Sequence, residues 1–243
     1  MKKLFNSLLI AFALLSSVQS YATNYDSWIN YMMNMIVGSH QATDEQAKML
    51  EKALKEGADY KKYLTPDQVG FIENYTINPE MFNEMLKDGY DIDDPQSMFA
   101  KVLDSSLEKL PTQTRVTYRG GAYPKGVYSK LIKKGNVVYN NIFASTSYSA
   151  SIAKEFADSV GGAGVEKVVF AIESTDGVNI SNFSPTFTKE AEILLRPDSY
   201  FEVKKVKKGG DGTIYVAMKE VDPPKSRKTK VRHMYHGDIL DCD

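Results

Sequence analysis

The sequence predicts an α+β fold in which helices come first and strands follow. Residues 23–110 place apolar side chains at helical spacing, whereas the chain after Pro111 consists of short runs rich in β-branched and aromatic residues. Gly, Asn, Asp and Pro separate these runs. Because helices and strands do not alternate along the chain, this pattern favours an α+β fold over one built from βαβ units.

Residues 1–22 have the pattern of a cleaved export signal. Two lysines precede a largely apolar run at residues 4–15, and small residues at the end suit a signal peptidase. The apolar run is too short to span a bilayer. We therefore expect a secreted protein whose mature chain has a helical part at 23–110 and a β-rich core at 111–243. The alternative for the first residues is a buried N-terminal helix.

The helical part predicts five helices. Thr43 and Gln46 resemble a capping box, and Gly57 is expected to end the helix that they begin. Thr65, followed by Pro66 and Gln68, marks the start of the next helix. The remaining helices are expected at Trp28–Ile36, Pro79–Leu86 and Pro95–Leu110.

The β-rich part predicts seven strands. One helix, Ala150–Ser159, interrupts the series, and the Pro- and Lys-rich segment 222–232 is expected to be a loop or a bent connection. The strands are expected at Arg115–Arg119, Val137–Ser147, Val165–Ile172, Gly177–Ile180, Ala191–Leu195, Phe201–Val206 and Thr213–Met218.

Charge and cysteine content exclude several functional classes. The chain has 30 basic and 31 acidic residues, so there is no global electrostatic case for nucleic acid binding. Basic runs at Lys204–Lys208 and Lys225–Arg232 are either solvated strand faces or a surface for a partner or a phosphate. The single Cys242 excludes an intrachain disulfide. His233 and His236 have a spacing seen in metal sites, but no third ligand lies nearby, so no metal is expected.

Arg119 is the first candidate for ligand binding. It is expected to end a strand, and Gly120 and Gly121 follow it. A guanidinium group offers a rigid fork of donors that pairs with phosphate oxygens. Two glycines let a ligand approach the backbone closely. The alternative is a surface arginine that precedes a turn.

Ser145, Thr146 and Ser147 form a run of hydroxyls on a strand that enters an apolar core. Hydroxyls can hydrogen-bond to backbone or carboxylate groups without adding charge. The same pattern also occurs on ordinary edge strands. Phe156, on the next helix, has a spacing that directs its ring toward the same cleft, or else it is simply a core residue.

Glu190 and Glu192 are two residues apart on a predicted strand, so both are expected to point to the same side. Repulsion and partial burial should raise the pKa of at least one carboxyl group. Such a pair suits acid–base chemistry or stabilisation of a cation, unless it is a solvated strand edge. The polar loop before the pair could present Phe183 or Phe187 to a protein substrate.

The ordered set Tyr118-Arg119-Gly120, Phe143-Ala144-Ser145-Thr146-Ser147 and Glu190-Ala191-Glu192 resembles the mono-ADP-ribosyltransferase toxins of the arginine–serine–glutamate type. The resemblance covers about residues 70–220. It implies two roughly perpendicular, mainly antiparallel β-sheets around a cleft that binds NAD as a substrate, with a helical N-terminal part and no metal.

The resemblance also implies roles for the NAD-binding residues. Arg119 would hold an NAD phosphate, and the backbone of Gly120 would clamp the nicotinamide amide. Phe156 would pack beside the nicotinamide ring. Glu192 would hydrogen-bond to the nicotinamide ribose and stabilise the oxocarbenium ion as nicotinamide leaves, while Ser145 would brace this glutamate.

Further roles follow from the same resemblance. Thr146 and Ser147 would shape the scaffold, and Tyr75 lies in a segment that covers the adenine side of NAD in related toxins. Glu190 would position the acceptor. In that family a Glu at this position goes with arginine acceptors, which must be oriented and helped to lose a proton before they attack.

The expected function is therefore that of a secreted, monomeric toxin that acts in the host cytosol. It would transfer ADP-ribose from NAD to an arginine of a host protein, such as actin or another cytosolic protein, without nucleic acid or stable membrane insertion. One alternative is an NAD glycohydrolase that uses the same site with water as the acceptor. A more distant alternative is a non-enzymatic secreted module that binds a partner through its basic C-terminal strands.

Overall fold

The computed structural model describes residues 25–35, 40–160, 162–184, 189–225 and 229–240. Within these ranges the α+β class is confirmed, since helices dominate before the first strand and strands dominate after it. The predicted signal peptide lies outside the described residues. The α-helices are 25–34 (α1), His40–Glu56 (α2), Pro66–Ile77 (α3), Glu80–Lys87 (α4), Met98–Leu107 (α5) and Ala150–Ser159 (α6).

The helix ends show which local signals were sufficient. At the start of α3, the Thr65 side chain accepts a hydrogen bond from the backbone of Gln68, whose side chain accepts one in return, so the predicted start is confirmed. Helix α2 ends at Glu56, before Gly57, as expected. The capping box predicted at Thr43 is wrong, because α2 begins at His40 and Thr43 lies inside it.

In the part of the chain that the structure describes, ten strands form one hydrogen-bonded network. Seven of the nine neighbouring pairs are antiparallel. The strands, in chain order from β1 to β10, are Arg115–Pro124, Val137–Asn140, Ala144–Ser147, Val165–Ser174, Val178–Asn179, Glu192–Leu195, Ser199–Lys208, Ile214–Val221, Val231–His233 and Ile239–Leu240. Their order across the network is β10-β9-β2-β7-β8-β4-β1-β3-β6-β5. The strands β9 and β10, at and beyond the end of the segment 222–232, were not predicted.

A narrow junction divides the strand network into two parts. Strands β1 and β3 are joined through a single pair, Tyr118 and Ser147, whereas β1 pairs with β4 along its whole length. The three strands β3, β6 and β5 therefore form one part and the other seven strands form the second. The expected two sheets correspond to these parts, which stay connected by hydrogen bonds.

The predicted strand Val137–Ser147 is interrupted, because the residues between β2 and β3 bond elsewhere. The buried Asn140 side chain donates to the carbonyl of Ile142, and the Asn83 side chain of α4 accepts from the backbone N–H of Phe143. These bonds turn the chain from one part of the network into the other.

The described residues form four apolar clusters, of which three are large. Helices α3, α4 and α5 pack against β5, β6 and the residues just before β3, while α1 and α6 pack against β1, β4 and β8. The third core lies on the other face of the larger part and includes Met234 of the C-terminal segment. Among the described residues, no helix is long and apolar enough to cross a membrane.

Candidate active site

A cleft of about 470 Å³ opens at the junction of the two parts of the strand network. Strands β1 and β3 form its floor, α6 lies on one side, and α3 and α4 lie on the other. The structure brings eight of the predicted site residues together in the lining. They are Arg119, Gly120, Ser145, Thr146, Ser147, Phe156, Glu190 and Glu192.

The hydroxyl run on β3 holds the two glutamates in place. The hydroxyl of Ser145 hydrogen-bonds to the carboxylate of Glu192. Thr146 donates to the carbonyl of Ile193 at 2.7 Å, and Ser147 donates to the carbonyl of Glu190. Each hydroxyl thus fixes a different point of the same segment, which explains why three are found in a row.

Glu190 and Glu192 do not share a strand, so the reasoning from strand alternation was wrong. Strand β6 begins at Glu192, and Ala191 has a positive φ of 47°, a conformation that non-glycine residues adopt at a cost. The backbone N–H of Tyr148 donates to the carbonyl of Ala191 at 3.1 Å and holds this turn. The turn, instead of strand alternation, brings both carboxyl groups to the cleft.

Burial controls the protonation of the pair. Glu192 is only 6% exposed, and burial raises its pKa to about 7, with a further contribution from the nearby Glu190. The hydrogen bond from Ser145 and the charge of Arg119 oppose this shift. Burial also raises the pKa of the half-buried Glu190. The ionised Glu192 carboxylate would therefore interact strongly with a cation in the cleft, because burial removes the water that would otherwise stabilise its charge.

Arg119 lies opposite the carboxyl groups. Its Nη1 donates to the carbonyl of Ser145 at 2.6 Å. Within the described part of the chain, no acceptor meets its buried Nε. Donor capacity therefore remains for an anion in the cleft. Arg119 does not end its strand as predicted, because β1 continues to Pro124 and pairs with β4 throughout.

The packing of α6 against β1 requires a glycine at position 120, a reason that was not predicted. A Cβ atom on Gly120 would lie 1.6 Å from the carbonyl oxygen of Ala153 and 2.9 Å from the backbone nitrogen of Ala157. The absent side chain makes room for α6, and Gly120 also lines the cleft. This close packing also brings Phe156, which is 48% exposed, to the mouth of the cleft.

Tyr75 and Asn83 support the site in a way that the sequence did not predict. The hydroxyl of the buried Tyr75 lies 3.0 Å from that of Ser145, so it supports the residue that contacts Glu192. The buried Asn83 makes two hydrogen bonds with the backbone of Phe143, at 2.9 and 3.0 Å. A polar side chain on the apolar face of a helix is the only sequence signal that both residues carry.

Phe183 does not present its ring to a substrate, so that prediction is wrong. The ring is 1% exposed and packs in the helical core, because this apolar side chain gains more from burial than from the surface. Phe187 lies outside the described residues. Within the described ranges, no group of three His, Cys, Asp or Glu residues is arranged for a metal ion, and the Nε2 of His233 instead meets Asn141 at 3.0 Å.

Solved structures with this fold include the Vis toxin of Vibrio splendidus. That structure has a TM-score of 0.68 at 19% identity and covers 86% of this chain and 98% of that chain. A further structure of Vis contains agmatine and has the same TM-score. Exoenzyme S of Pseudomonas aeruginosa is more distant, with a TM-score of 0.50 at 20% identity over 72% of this chain and 88% of that chain.

Sequence comparison points the same way. Vis of Vibrio splendidus strain 12B01, described as an NAD(+)–arginine ADP-ribosyltransferase, is 25% identical over 146 residues, which are 59% of this chain and 58% of that protein. The NAD(+)–protein-arginine ADP-ribosyltransferase Tre1 of Serratia proteamaculans strain 568 is 27% identical over 169 residues, 69% of this chain and 35% of that protein. The chain thus spans little more than half of one relative and about a third of the other. Residues 35–226 match the family NAD:arginine ADP-ribosyltransferase, and the chain belongs to this family.

Proposed function

We propose that the protein transfers ADP-ribose from NAD to an arginine side chain of another protein and releases nicotinamide. The observation that carries this proposal is the convergence of Arg119, Ser145, Glu190 and Glu192 on one cleft. Family membership and the similarity to Vis and Tre1 support the same reaction.

Arg119 would bind the pyrophosphate of NAD. Its unsatisfied Nε is a donor that suits phosphate oxygens, and its Nη1 is already oriented by the carbonyl of Ser145. An arginine held in this way places the nicotinamide ribose toward the strand that carries Glu192. Phe156 at the mouth offers an apolar surface for the nicotinamide ring.

Glu192 would stabilise the transition state. The bond between the ribose C1′ and the nicotinamide nitrogen breaks, and its electron pair leaves with nicotinamide. Positive charge then develops on the ribose ring, and a carboxylate in a site of low dielectric stabilises that charge more strongly than water does. The hydrogen bond between the hydroxyls of Tyr75 and Ser145, together with the contact of Ser145 with Glu192, would orient the carboxylate before the reaction begins.

Glu190 would act on the acceptor. A guanidinium group keeps its proton at neutral pH and cannot attack until it loses one. Glu190 is half-buried at the edge of the cleft, and its raised pKa makes it a better proton acceptor than an ordinary glutamate. Glu190 takes the proton as a guanidino nitrogen forms its bond to C1′, so charge and atoms balance.

Hydrolysis of NAD is the second candidate function. Glu190 can accept a proton from water as well as from arginine. The buried Phe183 removes one of the two aromatic residues that had favoured a protein acceptor. The similarity to Vis, whose structure contains agmatine, favours a guanidino acceptor.

The proposal extends to the biological setting. A protein that begins with an export pattern and is similar to a toxin would be secreted and would act in the cytosol of a host cell. Its partner would be a host protein with an accessible arginine, such as actin or another cytosolic protein, and the enzyme would act as a monomer. Incubation of labelled NAD and the enzyme with host lysate would test whether the acceptor is a host protein. A labelled protein band supports a protein acceptor, and free ADP-ribose alone contradicts it.

The reaction itself is tested by nicotinamide release from NAD with and without agmatine. Release that rises with agmatine and disappears in Glu192→Gln would support transfer to arginine. Equal release with and without agmatine would favour the glycohydrolase. No release by the wild type would overturn both enzymatic functions.

A further inference from the structure

Tyr123 reaches back along β1 toward Arg119. Residues 119, 121 and 123 lie on the same face of the strand, and the middle one is Gly121. A Cβ atom on Gly121 would lie 3.3 Å from the Tyr123 ring and 3.7 Å from its hydroxyl oxygen. The ring therefore lies across the glycine and directs its hydroxyl back along the strand toward Arg119.

Tyr235 supports Tyr123 from the other end of the chain. The two rings are stacked, with centroids 6.1 Å apart and an angle of 10° between their planes. The hydroxyl of Tyr235 donates to the side chain of Asn140 at 2.7 Å. Tyr235 lies outside residues 35–226, which match the family.

The C-terminal segment that carries Tyr235 is firmly anchored. Strand β9 runs parallel to β2, and the backbone N–H of Met234 donates to the carbonyl of Tyr139 at 2.9 Å. The buried Tyr128 donates to the carbonyl of Met234 at 2.7 Å. The Asn140 that accepts from Tyr235 also donates to the carbonyl of Arg196, after β6. One tyrosine thus connects the C-terminal segment to both sides of the cleft.

We propose that Tyr123 and Tyr235 are positioning residues that hold the Arg119 guanidinium toward the NAD pyrophosphate. The inference rests on the proposed function of the cleft and adds the segment 229–240 to its working parts. A long side chain bound by one backbone carbonyl loses much rotamer freedom when it meets a ligand. Two stacked rings that restrict it beforehand lower this cost.

The prediction concerns binding more than chemistry. Arg119 contacts a phosphate in both the ground state and the transition state, so a loosened Arg119 raises KM and leaves kcat nearly unchanged. In Tyr123→Phe we expect KM for NAD to rise about tenfold, the loss typical of one hydrogen bond near a charged group. Tyr235→Phe loses the bond to Asn140 and should give a smaller rise in the same direction. Gly121→Ala should act in the same way, because its Cβ pushes the Tyr123 ring aside.

The matched control is Tyr139→Phe. The Tyr139 hydroxyl bonds to Asp198, and this residue does not line the cleft. We expect its KM and kcat to equal those of the wild type. The decisive background is Arg119→Lys, in which Tyr123→Phe should cause no further rise in KM, since its effect acts through the guanidinium.

The outcomes separate the two proposals. A wild type that releases no nicotinamide removes the proposed function, and this inference with it. An active wild type whose tyrosine variants keep a normal KM overturns only the positioning role. Two further results would overturn the positioning role, because a purely structural role predicts both. One is an equal fall in thermal stability and kcat. The other is a full additional effect of Tyr123→Phe on KM in the Arg119→Lys background.

Discussion

The two sides of the cleft are held together by different kinds of contact. On the glutamate side, formed by β3 and β6, three successive hydroxyls bind a short segment on the neighbouring strand. On the arginine side, formed by β1 and the segment 229–240, Tyr123 leans toward Arg119 and stacks on Tyr235, a residue far away in the sequence. The first side is built mainly from two short runs of sequence, 145–147 and 190–192, whereas the residues of the second side are scattered singly along the chain.

The largest expected effect breaks the glutamate side directly. Glu192→Gln keeps the shape of the side chain but removes the negative charge that would stabilise the ribose cation. We expect kcat for nicotinamide release to fall about thousandfold, the upper range for removal of one preorganised electrostatic group. The control Glu202→Gln, on β7 and away from the cleft lining, should retain full activity. A Glu192→Gln enzyme with more than a tenth of the wild-type kcat would contradict the assignment.

The packing of the arginine side is tested by Gly120→Ala. The added Cβ meets backbone atoms of α6 at 1.6 Å, so the helix must move. We expect the free energy of unfolding to fall by about 3 kcal/mol or more, the cost of severe overpacking. Gly70→Ala is the matched control, since it lies in α3 with nothing within 4 Å, and alanine there should stabilise slightly. Denaturant unfolding would measure both, and equal stability of the two variants would contradict this packing.

The burial of Glu192 predicts a pH-dependent stability. Its pKa is about 7 in the folded protein against 4.5 for an ordinary glutamate, so between these values the folded state holds a proton that the unfolded state releases. The free energy of unfolding therefore falls as pH rises through this window, by about 3 kcal/mol. Glu192→Gln lacks this contribution. The difference in free energy of unfolding, variant minus wild type, should therefore be larger at pH 8 than at pH 4.5. Parallel pH profiles of wild type and variant would contradict the raised pKa.

Glu190→Gln sharpens the comparison within the glutamate side. The variant keeps Glu192 and its supporting hydroxyls, so bond breaking at C1′ should continue. It lacks the carboxylate that would take a proton from the acceptor, so transfer to agmatine should fall about a hundredfold while NAD hydrolysis stays within a few fold. Separate assays of ADP-ribosyl agmatine and free ADP-ribose would show this. Transfer at the wild-type rate would remove the role of Glu190.

The same contrast explains what could be predicted from the sequence. The hydroxyl run and the glutamate pair lie on neighbouring strands, and their residue types indicate their chemistry, so they could be identified as a site. The geometry of the pair was predicted wrongly. Ala191 has a positive φ, and an alanine in the sequence gives no indication of this conformation, because alanine usually avoids it. Both glutamates nevertheless reach the cleft.

Residues whose role depends on distant partners could not be found in this way. Tyr75 braces Ser145 from 70 positions away, and Asn83 binds Phe143 from 60 positions away. Phe183 was placed in an exposed loop because its neighbours are polar, yet tertiary packing buries it. The fold class was predictable because it depends on periodicity, which each segment carries by itself.

The central claim is tested most directly by the product of the reaction. The protein is incubated with NAD and agmatine, and the products are identified by mass spectrometry. The account predicts a species with the mass of agmatine joined to ADP-ribose, formed in equal amount to nicotinamide and absent with Glu192→Gln. Free ADP-ribose as the sole product, or no consumption of NAD, would contradict it.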